Sequence, residues 1–156
     1  MSAKERFLKK LQDVQPHTET YSNKGQADLA AFRQRVEQLR ESATNWLTGT
    51  EIGLTEGSCT MTEMLISNAA FTISCFSLHF QNREVKFTPL FLYGQGVTGC
   101  VEVTLNTGEH TSRLARLFMR SAESLEWSYI LVKRSGGLRK VFNEESFFAV
   151  IEPLLP

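Results

Sequence analysis

Residues 94–99, GQGVTG, fit the G-x-G-x-x-G pattern of glycine-rich phosphate-binding loops. In a dinucleotide-binding unit, a helix must follow this loop so that its N-terminus faces the pyrophosphate. Here residues 100–105, CVEVTL, alternate between apolar and polar side chains, which predicts a strand instead. A kinase glycine loop does lie between strands, but the sequence lacks the other kinase motifs. We therefore interpret residues 94–99 as a tight turn whose positive φ angles favour glycine.

Carboxylates are few in the part of the chain with strand character. The sequence contains only two aspartates, Asp13 and Asp28, and both lie in its N-terminal, helix-forming third. Hydrolases and two-metal phosphoryl-transfer enzymes draw several carboxylates into one site. Glu84 and Lys86 form one half of a nuclease-like Glu-x-Lys pair, but no aspartate on a strand accompanies them. The composition therefore predicts no catalytic residue.

Histidine and cysteine are scattered along the chain without the spacing of a zinc site. His79 interrupts an apolar strand-like run four residues after Cys75. Four residues span about 13 Å along a strand, which is too far for a nucleophile and its base. A histidine satisfied within a sheet and buried, inert thiols are the favoured interpretations. We predict no metal site and no cofactor.

The charge balance argues against a dedicated nucleic-acid-binding protein. Seventeen basic and seventeen acidic residues give a net charge of zero, whereas such domains carry a basic excess. The region 109–142 is nevertheless basic, with seven Lys and Arg against three Glu. Trp127 and Tyr129 share one face of a predicted strand and could stack on bases. Nucleic-acid binding through this half is therefore a third hypothesis.

The N-terminal segment predicts an amphipathic helical arm. Phe7, Leu8, Leu11 and Val14 share one helical face, and lysines occupy the others. Such a helix could lie on an anionic membrane, but packing against protein is the favoured interpretation. Residues 16–26, PHTETYSNKGQ, have the composition of a polar linker. The arm of residues 1–15 could therefore move, or contact another molecule.

Residues 27–47 predict a long helix that lies across a sheet. Its apolar residues recur at spacings of three and four, as in a heptad pattern. The pattern lasts about 2.5 heptads, fewer than a stable coiled coil needs, so a coiled-coil dimer is the less favoured alternative. Gly49 is the predicted stop. The residues of the stripe are Leu29, Phe32, Val36, Leu39, Ala43 and Trp46.

Alternating patterns after residue 58 predict antiparallel strands, with a hairpin turn at residues 106–109. Residues 113–120 fit a strand better than a helix. Within the apolar run 61–80, the phase of the alternation changes, which predicts a β-bulge or a strand buried on both faces. A short helix follows, with Asn143 as N-cap and Pro153 as its stop. Its predicted buried residues are Phe147, Phe148, Ile151 and Leu154.

These elements predict one α+β domain spanning residues 1–156. Its N-terminal helices, one of them long and heptad-patterned, pack on a curved antiparallel sheet of five to seven strands, and a short C-terminal helix follows. The arm, the linker and a body of residues 27–156 make up the chain. At 156 residues, about 70% of the unfolded surface can be buried, so the core needs no disulfide or metal.

The favoured function is a non-catalytic, cytosolic protein-binding module, as in small bacterial adaptor, immunity or chaperone proteins. The odd cysteine count and the lack of a signal peptide or apolar spanning run motivate the cytoplasmic expectation. The partner is expected to be another protein, and a homodimer is left open. The expected contact residues are Phe7, Leu11, Trp127, Tyr129, Arg139 and Lys140.

The alternative is a small-ligand-binding cone or barrel, with or without enzymatic activity, in which helix and sheet enclose a pocket. Its polar groups would come from the strand region, because the two aspartates lie outside it. The candidates are Glu63, His79, Tyr93 and Glu102.

Overall fold

The computed structural model describes residues 2–14, 16–62, 70–94, 97–119, 126–132 and 139–156, without the side chains at 11–14, 16–24, 62 and 97. This part of the chain contains three α-helices and seven strands. The helices are α1 (Ala3–Val14), α2 (Pro16–Trp46) and α3 (Glu144–Ile151), and a 3-10 turn, Glu152–Leu154, follows α3. The strands are β1 (Gly53–Thr62), β2 (Ala70–Phe80), β3 (Arg83–Gly94), β4 (Val97–Asn106), β5 (Thr111–Met119), β6 (Trp127–Leu131) and β7 (Lys140–Phe142).

The seven strands form one antiparallel sheet in sequence order, from β1 to β7. Each strand therefore pairs with the strand that follows it in the chain, which is the order of a β-meander. In the predicted turn at 106–109, Asn106 pairs with Thr111, and the Gly108 amide donates to Asn106 Oδ1 at 2.8 Å. The α+β architecture is confirmed, and β5 confirms the strand predicted at 113–120 as far as Met119.

The phase change in the apolar run 61–80 comes from β2, which is buried on both faces. Ile73 and Cys75 are buried on one face, and Phe76 and Leu78 on the other. The register of β2 with β1 is continuous, so no bulge causes the change. Only the second half of β2, from Phe76 onward, pairs with β3. The first half instead meets α2, where the guanidinium of Arg33 donates to the Thr72 carbonyl at 2.7 and 3.2 Å.

The apolar stripe of α2 packs across the sheet and forms the centre of the core. Phe32 lies beside Trp127 of β6, with ring centroids 6.4 Å apart. The half-buried ring of Trp46 packs against Phe147 of α3, with ring centroids 5.1 Å apart. Each fully buried apolar side chain contributes about 1.5 to 3 kcal/mol, so this stripe holds helix and sheet together. Leu47, just after α2, is buried too, whereas Trp46 of the stripe is only half-buried. The buried residues of the stripe are Leu29, Phe32, Val36, Leu39 and Ala43.

The last glycine of the GQGVTG string serves this packing. Gly99 has φ of +88°, and a Cβ added there would lie 2.8 Å from Cδ1 of Phe32. Glycine is therefore required twice, by the backbone conformation and by the close approach of α2. Gly94 pairs with Val97, so residues 95–96 connect β3 to β4, strand to strand as predicted.

The predicted linker at residues 16–26 was wrong, because this segment is the first third of α2. Pro16 stands at the first helical position, where a missing amide proton costs nothing. Once the strong helix at 27–47 has formed, each added residue gains a backbone hydrogen bond without a new nucleation cost. The one glycine, Gly25, is buried and costs about 1 kcal/mol in a helix interior. The polar composition of residues 16–26 did not reveal that they are helical.

Helix α3 begins and ends as predicted, but one of its aromatic residues faces outward. Asn143 caps it, with Oδ1 accepting from the Ser146 amide at 2.9 Å. Phe148, expected in the core, is 37% exposed. The buried positions follow the i, i+3, i+4, i+7 spacing, and Phe148 lies one residue, about 100°, away from the first of them. These positions are Phe147, Val150, Ile151 and Leu154.

Candidate functional site

The polar residues expected to line a pocket are spread over the sheet. Glu84, opposite His79, and Tyr93 lie nine residues apart on β3, which is about 30 Å along a strand. Glu102 lies on β4, opposite Thr88, between these two ends. Glu63 falls outside the described residues. The three described candidates therefore do not converge on one reaction centre.

Each of these three candidates is paired with a neighbour. His79 Nε2 lies 2.8 Å from Thr55 Oγ1, and its Nδ1 lies 3.5 Å from a Glu84 carboxylate oxygen. Both ring nitrogens thus have partners in the sheet, in agreement with the interpretation of His79 as satisfied there. Glu102 lies 3.5 Å from Arg116 Nε, directly across the β4–β5 ladder. His79 and Glu102 therefore find their polar partners within the sheet.

Tyr93 joins the end of β3 to helix α2. Its hydroxyl donates to Asp28 Oδ2 at 2.5 Å, and both residues are partly buried. Hydrogen bonds to a charged group are shorter and stronger than neutral ones. The sequence separation of 65 residues means that this contact fixes the position of α2 on the sheet. Tyr93 is therefore a structural tie between helix and strand.

The thiols of Cys59 and Cys100 are poor nucleophiles. Burial raises the pKa of the Cys100 thiol to about 12. Burial also raises the pKa of Cys59, and the nearby Cys75 thiol, to which it is hydrogen-bonded, raises it further. Because the thiolate is the reactive form, thiols with raised pKa values react slowly at neutral pH. In the described part of the chain, no three His, Cys, Asp or Glu side chains form a group that could hold a metal ion.

The aromatic residues expected to contact a partner lie in or beside the core. Trp127 is 5% exposed and contacts Phe32, so it offers a partner almost no surface. Half-buried Tyr129 packs edge-on against Phe142, with centroids 5.6 Å apart. The expectation that Trp127 contacts a partner is therefore corrected, because its ring belongs to the core. Alternation placed both rings on one strand face, but it did not reveal that α2 covers that face.

Arg139 and Lys140 remain at the surface, Lys140 as the first residue of β7 and Arg139 just before it. The guanidinium of Arg139 lies 4.3 Å from the centroid of the Phe118 ring and covers it. Such a cation–π contact contributes about 0.5 to 2 kcal/mol, so Arg139 has a packing role here. Lys140 is exposed opposite Tyr129 at the β7 edge of the sheet.

Helix α1 presents apolar side chains to solvent. Phe7 is 65% exposed and Leu8 46%, and every described side chain of α1 is exposed. Four basic and two acidic residues lie in the same twelve-residue helix. Leu11, the other expected contact residue on the arm, has its side chain outside the described residues. We call the surface formed by Phe7, Leu8 and the neighbouring lysines the α1 face.

A second exposed apolar surface lies on α3, at the other end of the molecule. Phe148 and Leu155 contribute to an open cleft of about 340 Å³, and the side chain of Leu155 is 49% exposed. We call it the α3 cleft. Sequence reasoning missed it, although the i, i+3, i+4, i+7 spacing of the buried residues of α3 could have shown Phe148 on the outer face. The cleft is lined by Ile52, Phe148, Ala149, Ile151, Glu152 and Leu155.

Comparison with known proteins gives no match: no family model fits the chain, and no curated protein and no solved structure is similar to it. Among the described residues, the structure contains no helix with the length and apolarity needed to span a bilayer. What this chain binds must therefore be inferred from its own residues and their geometry.

Proposed function

We propose that this protein is a non-catalytic, cytosolic protein-binding module that uses the α1 face as its docking surface. The observation that carries the proposal is the exposure of Phe7 and Leu8 on a basic helix. Amphipathic helices bind partners by placing such side chains in an apolar groove. Adaptor, immunity and chaperone proteins work through contacts of this kind.

The chemistry of the α1 face favours a protein partner with an acidic rim. Phe7 is the type of side chain that anchors interfaces, because a large ring buries much area at little entropic cost. The lysines beside it would meet carboxylates and steer the encounter. Basic residues exceed acidic ones by only two in α1, and the helix has twelve residues. Membrane-surface helices depend on a large buried apolar area and strong positive charge, so a bilayer is the weaker candidate.

The dispersed polar candidates also support binding over catalysis. His79, Tyr93 and Glu102 each have a partner within the fold, and within the described ranges these three side chains do not converge on a common point. General acid–base catalysis needs such groups within hydrogen-bond reach of one reacting atom.

The experiment that tests the proposal compares tagged full-length proteins as baits in an extract of the source organism. The wild type should recover a second polypeptide in stoichiometric amount. The double variant Phe7→Ser with Leu8→Ser should lose it, because an apolar anchor is removed without disturbing the core. Leu90→Ser, at an exposed apolar residue on β3, is the matched control and should behave as the wild type.

Two results would contradict the proposal. One is recovery of the same polypeptide by the wild type and by the Phe7/Leu8 variant, which would place the docking surface elsewhere. The other is sedimentation with anionic lipid vesicles that depends on Phe7 and Leu8, without any recovered protein, which would make α1 a membrane-surface helix.

A further inference from the structure

The outer face of α3 carries an apolar pair between two acidic residues. Glu145, Phe148, Ala149 and Glu152 follow the i, i+3, i+4, i+7 spacing of one helical face, and all four are exposed. Ile52 and Leu155 extend the apolar surface into the α3 cleft. Residues 143–156 contain three glutamates and neither lysine nor arginine. Glu152 lines the α3 cleft, and Glu145 lies on the same helical face. The guanidinium of Arg83 donates to the Pro153 carbonyl at 2.8 Å, so one cation lies beside this segment. The α3 cleft is thus an apolar groove whose charged residues within 143–156 are all acidic.

The α1 face has the complementary pattern. Lys4, Phe7 and Leu8 follow the same i, i+3, i+4 spacing, so Lys4 shares the apolar face and does not lie apart from it as first expected. Lys9 and Lys10 flank the apolar pair. Where α3 places carboxylates beside its apolar residues, α1 places ammonium groups. Opposite charges around an apolar centre favour association and fix its orientation. The α3 cleft therefore has the chemistry that we expect of a surface that receives α1.

The α1 face cannot reach the α3 cleft of its own chain. Helix α2 has 31 residues and is about 46 Å long. One residue joins α1 to the start of α2, whereas α3 packs at its other end, where Phe147 contacts Trp46. With 12 residues, α1 is about 18 Å long. Folded back along α2, it would end roughly 28 Å short of the cleft.

We infer that the α1 face of one copy docks in the α3 cleft of a second copy of this chain. The inference rests on the proposed function of α1 as a docking helix, and it names what covers α1 when no other partner is bound. Each copy carries both surfaces, so a two-fold pair satisfies both contacts and closes the assembly. Self-association and partner binding then use the same helix and compete with each other.

The test measures the mass of the full chain in solution over a series of concentrations, by sedimentation or light scattering. The wild type should change from monomer to dimer as its concentration rises. Phe7→Ser with Leu8→Ser, or Phe148→Ser with Leu155→Ser, should each weaken self-association at least about tenfold, because each removes a central apolar anchor. Leu90→Ser should dimerise as the wild type does.

A mixture of the two double variants identifies the contact. The Phe7/Leu8 variant keeps an intact cleft, and the Phe148/Leu155 variant keeps an intact helix. Each alone should stay monomeric, and the 1:1 mixture should form a heterodimer through the one contact that remains. A mixture that stays monomeric, or a Phe148/Leu155 variant that dimerises as well as the wild type, would overturn the inference.

A wild-type chain that stays monomeric up to its solubility limit would also overturn the inference. It would not decide the proposed function, because recovery of another protein from the extract depends on Phe7 and Leu8 alone. Conversely, a dimer that recovers no other polypeptide would support the self-contact and contradict the proposed function.

Discussion

Helices α1 and α2 both carry an apolar face, but only that of α2 is covered. Five apolar positions of α2, from Leu29 to Ala43, are buried against the sheet. Phe7 and Leu8 of α1 remain exposed, although α1 contacts α2. An amphipathic pattern thus predicts that one face of a helix is buried, but the pattern does not say which molecule covers that face. For α2 the cover is the sheet of the same chain, and for α1 we propose that it is a surface of another molecule.

The largest effect is expected at the centre of the covered stripe. Phe32→Ala should lower the free energy of unfolding by about 3 to 5 kcal/mol, because it removes a ring that is completely buried and leaves a cavity. Urea denaturation followed by circular dichroism would measure it. A loss below about 1 kcal/mol would mean that α2 is not held as described.

A methyl group at Gly99 should have the next largest effect. Gly99→Ala introduces a Cβ that would lie 2.8 Å from the Phe32 ring, at a positive φ angle. Overpacking and the left-handed conformation together should cost about 2 to 4 kcal/mol. In the background of Phe32→Ala, which removes the obstructing ring, the same change should cost less. Equal costs in both backgrounds would contradict the close contact of α2 with β4.

The hydrogen bond between Tyr93 of β3 and Asp28 of α2 should contribute less to the free energy of unfolding. Tyr93→Phe removes the hydroxyl that donates to Asp28 and should cost about 1 to 2 kcal/mol. Asp28→Asn weakens the same hydrogen bond, so the double variant should lose less than the sum of the two single losses. Strictly additive losses would show that the two side chains are not coupled.

The smallest effect on stability is expected at Phe7. Phe7→Ala is the same chemical change as Phe32→Ala, on the neighbouring helix. Because Phe7 is 65% exposed, the free energy of unfolding of the monomer should change by no more than about 0.5 kcal/mol. Denaturation in dilute protein measures the monomer. A loss comparable to that of Phe32→Ala would mean that the body of the same chain covers Phe7.

Features of the fold that depend on neighbours in sequence could be predicted. The heptad spacing predicted five of the buried positions of α2, although Trp46 is only half-buried. Alternation predicted strands that the structure confirms, such as β4. Asn143 was predicted as the cap of α3 because capping involves residues three apart. These signals are local, so they are present before the chain folds.

Features that depend on distant residues could not be predicted. Trp127 and Tyr129 share a strand face, but only the position of Phe32, 95 residues earlier, shows that this face is the core. The pairing of Tyr93 with Asp28 spans 65 residues. The α3 cleft went unnoticed because Phe148 was assigned to the buried side. The exposure of Phe7 is equally a property of the folded chain, since its pattern fits burial as well.

The most direct test of α1 as a docking helix is amide hydrogen exchange at low and high protein concentration, with peptides from α1 and α2 compared in the same sample. In dilute protein, amides of α1 should exchange much faster than those around Leu39, because the core of the same chain protects only α2. At high concentration, exchange in α1 should slow down while α2 stays unchanged, and the Phe7→Ser, Leu8→Ser variant should show no such slowing. Exchange in α1 that is equally slow at both concentrations would contradict an α1 face open to a second molecule.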